Sequence, residues 1–375
     1  MSEVFLYPEL RVDRSIKLSS EKALQFLTWY KSQLEPFLDA YFDHKISEAS
    51  KVHPEAVVLS EGVRRFVRNG GKRVRPAFAY CAYVASGGRS LEAILYASAA
   101  LEVLHAWALI HDDIIDNANI RRGKPSVHKV FEDFHRKRGF RGNAENFGVY
   151  AAILVGDLAF SYADELLNTA PFPAGRIRRA KEYYDLMKKQ VIFGEYLDVV
   201  APLKKQITER DLLTILEYKT AKYTIERPTH IGAILAGAEE DILQVFSSYA
   251  IPLGQAFQIQ DDIMGTFSSE EKIGKPVDSD IKEGKRTLLV LKAYEYSKRA
   301  ERKFLDKVLG NQLAGEAEIE NVRQIIRECG ALEYSQELAY KLIKKAKGAI
   351  LQAKLVEEGR EYLLQAADYL LTRST

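Results

Sequence analysis

Cysteine is scarce. Cys81 and Cys329 are the only two in 375 residues, far apart and at no metal-ligand spacing. A disulfide framework or a thiolate metal centre is thereby excluded as an organising device, and the two read as ordinary thiols of a reducing compartment. Net charge is also nearly missing, with 54 basic against 52 acidic side chains. That balance argues against a chain built to coat nucleic acid. No Pro/Ser/Gly-rich tract or low-complexity run marks a linker, so residues 1–375 are expected to form a single domain, although length alone would allow two. The opening MSEVFLYPEL has no basic segment followed by an apolar core. No stretch approaches the ~18 uncharged apolar residues of a bilayer span. The expectation is a cytoplasmic protein with no integral membrane segment and no nucleic-acid partner.

What is present is helical periodicity, in a chain that is 47% hydrophobic. Residues 91–111, LEAILYASAALEVLHAWALIH, are apolar nearly all round, as in a helix buried on most sides. Segments 147–168, 211–223, 241–264 and 284–298 have helical length and few β-branched runs. The tail 333–372 mixes charges with Leu, Ile and Ala at three- and four-residue spacing, which predicts an amphipathic surface helix. Breakers separate these segments at Gly87-Gly88, Gly123-Lys124-Pro125, Pro171 to Gly175, and Gly274-Lys275-Pro276. Residues 129–146 predict a short helix followed by an exposed loop. With no period-two alternation and no βαβ rhythm, the class is all-α, a multi-helix bundle.

The sharpest chemical signal is Asp112-Asp113-Ile114-Ile115-Asp116, at the end of the most hydrophobic segment. Asp112 and Asp116 are i and i+4, so their carboxylates leave one helix face and repel each other. A divalent cation resolves that conflict. Mg²⁺ suits it, because it favours carboxylate oxygens and commonly completes its shell with substrate phosphate. A solvated acidic patch would look the same locally, but a patch would more usually end a polar helix. Asp261-Asp262 closes a second apolar stretch, where Gly265 stands at the position a third carboxylate would take.

Basic clusters accompany both acidic pairs. They are Gly70-Gly71-Lys72-Arg73-Val74-Arg75-Pro76, Arg121-Arg122-Gly123-Lys124, Lys219-Thr220, Lys275 and Lys285-Arg286-Thr287. The first is no P-loop, since Arg73 follows Lys72 where Ser or Thr would be needed. Any one cation could be a solvated surface group. Together with metal-binding carboxylates they describe a diphosphate site, since Arg pairs bidentately with phosphate and Lys acts as a point charge. His105, seven residues before Asp112, reads equally as a core histidine or as a ligand.

From Lys72 to Thr287 the motifs GGKRVRP, LEVLH, DDIID with RRGKPSVH, FGVYAAILVGDLAF, YKTAKYT, FQIQDD and GKPVDSDIKEGKRT occur in order. In these the chain resembles the polyprenyl synthetase family of trans-isoprenyl diphosphate synthases. The resemblance implies the isoprenoid synthase fold, antiparallel helices around a deep apolar cavity, usually as a homodimer. It implies Mg²⁺, three ions per site, held by Asp112, Asp116 and Asp261 with Asp262 close by. Arg121, Lys219, Gln258, Lys275 and Lys285 would hold the allylic diphosphate, of C5 to C15. Lys72, Arg75, His105 and Arg122 would hold isopentenyl diphosphate, and Thr220 and Tyr223 would lie near the developing allylic cation.

Two departures stand out: Gly265 for the last Asp of the second motif, and Glu195 where the family usually has Gln. In this family, bulky residues just before the first acidic motif form the floor of the chain cavity. Trp107 and Ala108 stand five and four residues before Asp112. Five helical residues advance about 7.5 Å, so Trp107 is the expected floor, although a helical wheel puts Ala108 nearer the Asp112 face. This pattern implies geranylgeranyl diphosphate (C20) as product, with farnesyl diphosphate second. A class I terpene cyclase or a catalytically silent regulatory subunit are the competing readings.

Overall fold

The computed structural model describes residues 14–204, 206–267 and 279–372. Lys275 and its Gly-Lys-Pro breaker lie outside the described residues. Long helices dominate, as the periodicity predicted: α1 Arg14–Val52, α2 Val57–Arg68, α3 Val74–Ala85, α4 Leu91–Ile115, α5 Val127–Arg138, α6 Ala144–Asn168 and α7 Ala174–Val200. A short β-hairpin, Ile120–Arg121 with Lys124–Pro125, joins α4 to α5.

The second half opens with α8 Glu209–Ile215. A π-helical stretch Leu216–Glu226 runs on without a break into α9 Arg227–Ala236. Then come α10 Glu240–Phe267, α11 Ser279–Glu283, α12 Leu288–Tyr296, α13 Arg299–Val308, α14 Glu316–Glu328, α15 Ala331–Leu351 and α16 Glu357–Thr372.

The centre is α4, which Ser90 starts by accepting the Ala93 amide at 3.2 Å. Its side chains are buried along nearly the whole length, with Ile94, Leu101, Leu104 and Ile110 at 0–1% exposure. It packs against α1, α2, α3, α5, α6 and α9. By length and composition α4 and α6 could each cross a membrane, contrary to the count of uncharged residues. Enclosure by neighbouring helices is the setting of a core helix for α4. α6 instead leaves an apolar stripe on the surface, with Tyr150, Ile153 and Leu154 exposed.

Local signals set most boundaries, and tertiary contacts set the rest. α12 begins at Leu288 rather than 284, because Thr287 takes the cap and accepts the Val290 amide at 3.3 Å. The tail is not one surface helix. It breaks at residues 352–356, where QAKLV contains no breaker, and the Val356 amide donates to the Ala85 carbonyl at 2.8 Å. That turn folds α16 back onto α1 and α3, while α15 packs on α10. The loop after α5 is exposed at residues 139–143 and ends where Asn143 caps α6.

Candidate active site

The end of α4, the loop before α3, the hairpin, the π-helical stretch, α7 and α10 open onto one cavity of about 760 Å³. α4 stops at Asp116 because Asn117 adopts a left-handed conformation (φ 49°). Asp112 lines the cavity and Asp116 stands exposed at the helix end. Asp113, which had no assigned role in the sequence, is fully buried between them. It accepts Arg121 Nε at 2.7 Å, while another Arg121 nitrogen donates to Asp112 at 2.8 Å.

The hairpin turn has Arg122 and Gly123 at φ 54° and 72°, the two left-handed positions of a tight β-turn. Adjacent arginines therefore part. Arg121 returns to the acidic motif, and Arg122 reaches across to donate to the Gly70 carbonyl and lines the cavity.

The GGKRVRP loop divides its three cations in the same way. Gly71 (φ 122°) lies under the Arg122 guanidinium, which would be 3.1 Å from a β-carbon there. Arg73 turns inward. Its guanidinium donates to Glu102 at 2.5 Å and to the Gly70 and Val67 carbonyls, and both members of the pair are buried. Lys72 and Arg75 face the cavity. Lys72 donates to the Tyr369 hydroxyl at 2.7 Å. Arg75 donates to Thr224 Oγ1 at 2.8 Å and lies over the Tyr223 ring. His105 Nδ1 sits 3.3 Å from the Tyr223 hydroxyl. Burial, reinforced by the guanidinium groups of Arg75 and Arg122, holds His105 well below the usual histidine range, so the imidazole is neutral.

The π-helical stretch presents Lys219, Thr220, Tyr223 and Thr224 to the cavity. Hydrogen bonding of the i→i+5 kind is rare and concentrates at functional sites. Lys219 is gripped from α7 by Glu195 at 3.0 Å and Asp198 at 2.6 Å, two residues on one helix face. Burial opposes the Lys219 charge, but Asp198, Glu195 and Asp112 together raise its pKa. Glu195 is itself pushed up by burial against the pull of Lys219.

On α10, Asp261 and Gln258 line the cavity. Thr220 donates to Gln258 Oε1 at 2.8 Å, and Gln258 Nε2 donates to Asp262 at 3.0 Å. Asp262 instead faces a small adjoining recess, 3.3 Å from Lys285. Burial pushes its carboxyl up to about 6 against that lysine's attraction. At Gly265, where the third carboxylate is missing, a β-carbon would come 2.9 Å from Asp280 Oδ2. A carboxylate from α11 thus reaches the place a side chain at 265 would enter.

Trp107, the expected floor, is not among the residues that line this cavity. Its ring packs edge-on against Phe160 of α6 at 5.0 Å and against His111, whereas Ala108 lines the cavity with Leu109. The cause is the 3.6-residue period. Four residues bring Ala108 back to the Asp112 face, and five carry Trp107 past it.

The donors fit a hard divalent cation: carboxylate oxygens of Asp112 and Asp261 border one cavity, whereas Asp116 stands exposed just past the end of α4 and is not among the lining residues. Among the described residues, however, no group of three or more His, Cys, Asp or Glu side chains is close enough to hold a metal alone. A cation here would complete its shell with other oxygens, those of water or of a bound anion. The remainder of the cavity is apolar, walled by Phe26, Leu27, Ala77, Phe78, Phe257 and Leu370.

Comparison with known proteins agrees with this geometry. The family model described as polyprenyl synthetase matches residues 56–326. The chain is 35% identical to a geranylgeranyl diphosphate synthase of Sulfolobus acidocaldarius, over 83% of this chain and 90% of that protein. It is 33% identical to one of Methanosarcina mazei, over 84% and 90%. Among solved structures, a geranylgeranyl pyrophosphate synthase from Corynebacterium glutamicum, complexed with isoprenyl diphosphate and magnesium, superposes with a TM-score of 0.84. The identity is 32%, covering 94% of this chain and 98% of that one.

Proposed function

The chain belongs to the polyprenyl synthetase family and is a trans-prenyltransferase; from that premise we propose that it extends allylic diphosphates of C5 to C15 with isopentenyl diphosphate and stops at geranylgeranyl diphosphate, C20. One observation carries the reading. Carboxylates from α4 and α10, and cations from the α3 loop, the hairpin and the π-helical stretch, border one cavity whose remaining wall is apolar. A diphosphate group fits the charged end and a prenyl chain the apolar remainder.

Asp112, Asp116 and Asp261 would hold Mg²⁺, three ions per site, with Asp262 behind them at Lys285. Bound there, Mg²⁺ acts as a Lewis acid on the leaving diphosphate. Lys219, Arg121 and Gln258 hold that diphosphate, joined by Lys285 and, outside the described residues, Lys275. Arg121 is already oriented by Asp113, so it can bind phosphate while remaining anchored. Lys72, Arg75 and Arg122 supply the charge that takes isopentenyl diphosphate, and the neutral His105 adds a hydrogen bond without further charge.

The allylic C–O bond breaks with its electron pair leaving on the diphosphate, and the double bond of isopentenyl diphosphate attacks the resulting cation. The adduct then loses a proton to the departing diphosphate. Thr220 and Tyr223 line the cavity where the cation forms. The apolar wall excludes the water that would quench it. Ala108, on the cavity side of α4, leaves room for the growing chain and makes position 108 the place where length is set.

A homodimer is part of the same proposal. Tyr150, Ile153 and Leu154 on α6 and Ile192, Phe193, Tyr196 and Val199 on α7 are 40–68% exposed, at three- and four-residue spacing. An apolar stripe of this kind marks a protein interface, and a second copy of the chain supplies the matching stripe. Light scattering should give twice the 42.5 kDa chain mass, and Phe193→Glu should shift it to the monomer.

The test of function is incubation with labelled isopentenyl diphosphate, Mg²⁺ and each of the C5, C10 and C15 primers, followed by chromatography of the dephosphorylated products. A dominant C20 alcohol is expected. A dominant C15 product, or products longer than C20, would overturn the length assignment. No elongation from any primer would overturn the proposal in favour of a cyclase or a silent subunit.

A further inference from the structure

We propose that the C-terminal helix α16 completes the isopentenyl diphosphate subsite, with Tyr369 positioning Lys72. The proposal rests on the assignment of Lys72, Arg75, His105 and Arg122 to that subsite. Lys72 is exposed, and four rotatable bonds separate its ammonium from a glycine-loosened loop. Its neighbours on the loop give it no support, because Arg73 is turned into the core toward Glu102 and Arg75 is tied to Thr224. What holds it comes from 297 positions along the chain. The ammonium donates to the Tyr369 hydroxyl at 2.7 Å and lies 5.3 Å from that ring's centroid.

Tyr369 is itself fixed, at 8% exposure. Its helix is docked at several points. The Val356 amide donates to the Ala85 carbonyl at 2.8 Å, and the Tyr249 hydroxyl donates to the Leu363 carbonyl at 2.7 Å. Asp368 accepts from Ser19 at 2.8 Å and Lys347 at 2.6 Å, and Tyr362 stacks on Phe26 with centroids 4.3 Å apart. Tyr369 also borders the cavity onto which Arg75, Arg122 and His105 open. An ammonium has three donors, so the bond to the phenol leaves others for a diphosphate. Fixing a lysine before its ligand arrives removes rotamer freedom that binding would otherwise have to freeze. Tyr369 is thus a positioning residue acting through Lys72.

Steady-state kinetics on the full-length chain with Mg²⁺, varying each substrate in turn, test this with Tyr369→Phe, Lys72→Met and the double variant. Thermal melts check that each is folded. Tyr369→Phe keeps the ring and removes the oxygen. It should raise the KM for isopentenyl diphosphate about five-fold, the worth of one hydrogen bond of about 1 kcal/mol, and leave kcat and the allylic KM unchanged. Lys72→Met should raise the same KM further, and adding Tyr369→Phe to it should change nothing more. The proposal fails if Lys72→Met raises that KM and Tyr369→Phe does not. It also fails if Tyr369→Phe exerts its full factor without Lys72, or moves both substrates alike. If Lys72→Met itself leaves the KM for isopentenyl diphosphate unchanged, the underlying subsite assignment falls instead.

Discussion

Replacing Glu102 with leucine should damage this protein in a way the motif GGKRVRP alone does not suggest. Arg73 and Glu102 are 3% and 4% exposed, with 2.5 Å between their charged groups. Arginine does not deprotonate in proteins, so Glu102→Leu leaves a buried positive charge. Its remaining partners are the Gly70 and Val67 carbonyls and Glu35 at 3.4 Å. Breaking a buried pair on one side costs about 3–5 kcal/mol. Unfolding entropy of about 2.1 cal/mol/K per residue gives about 0.8 kcal/mol/K for 375 residues, so the melting temperature should fall by about 4–6 °C. The double variant Arg73→Met/Glu102→Leu should recover most of that loss, since it removes both charges. It should not recover function. The Gly70 and Val67 carbonyls lose their common donor, the loop carrying Lys72 and Arg75 loosens, and the KM for isopentenyl diphosphate stays raised in both variants while the allylic KM moves less. Scanning calorimetry and initial rates provide the two readouts. A melting temperature within 1 °C of the parent for Glu102→Leu would refute the reasoning, because it would mean that Arg73 is compensated without Glu102.

Four further outcomes are expected. Ala108→Phe puts a ring into the cavity one helical turn, about 6 Å, from Asp112 and should shorten the main product from C20 to C15. Trp107→Ala, on the α6 side, should leave the product distribution unchanged, with chromatography of dephosphorylated alcohols as the check. Asp112→Asn, or chelation of Mg²⁺ with EDTA, should lower kcat by at least about a hundred-fold, since stabilisation of leaving-group charge is commonly worth that much; restoration by added Mg²⁺ should occur in the parent but not in the variant. Acid should destabilise the fold through His230, whose Nε2 donates to the Leu243 carbonyl at 2.9 Å while Arg227 donates to Nδ1 at 3.0 Å, an arrangement only the neutral ring satisfies. Burial lowers its pKa from 6.5 to about 4. Below pH ~6.5 the unfolded chain takes a proton that the folded chain refuses, so stability falls with pH by about 1.4 kcal/mol per unit, or about 2 kcal/mol by pH 5. Urea titrations at pH 7 and pH 5 should show that loss, and His230→Gln should flatten it.

Much of the site was legible in residue order because its parts are local. The all-α class follows from hydrophobic periodicity, and the acidic pairs stand at the ends of apolar segments where an i, i+4 spacing already implies a shared face. The basic clusters were visible for the same reason. Asp198 and Asp113 escaped notice because each acts by holding another site residue. Tyr369 escaped because nothing in a patterned tail distinguishes a surface helix from one folded back over a cavity.

Residue order therefore determined which chemical groups this protein brings to a diphosphate, whereas tertiary structure decided which of two neighbours does the work. Lys72 and Arg75 face the cavity and Arg73 does not. Arg122 crosses to the α3 loop while Arg121 returns to Asp113, and Ala108 rather than Trp107 borders the cavity. In each case the alternatives differ by one residue, about 100° around a helix or the two sides of a turn. Composition cannot resolve that choice. Packing against a partner such as Glu102, Phe160 or Tyr369, distant in sequence, fixes it.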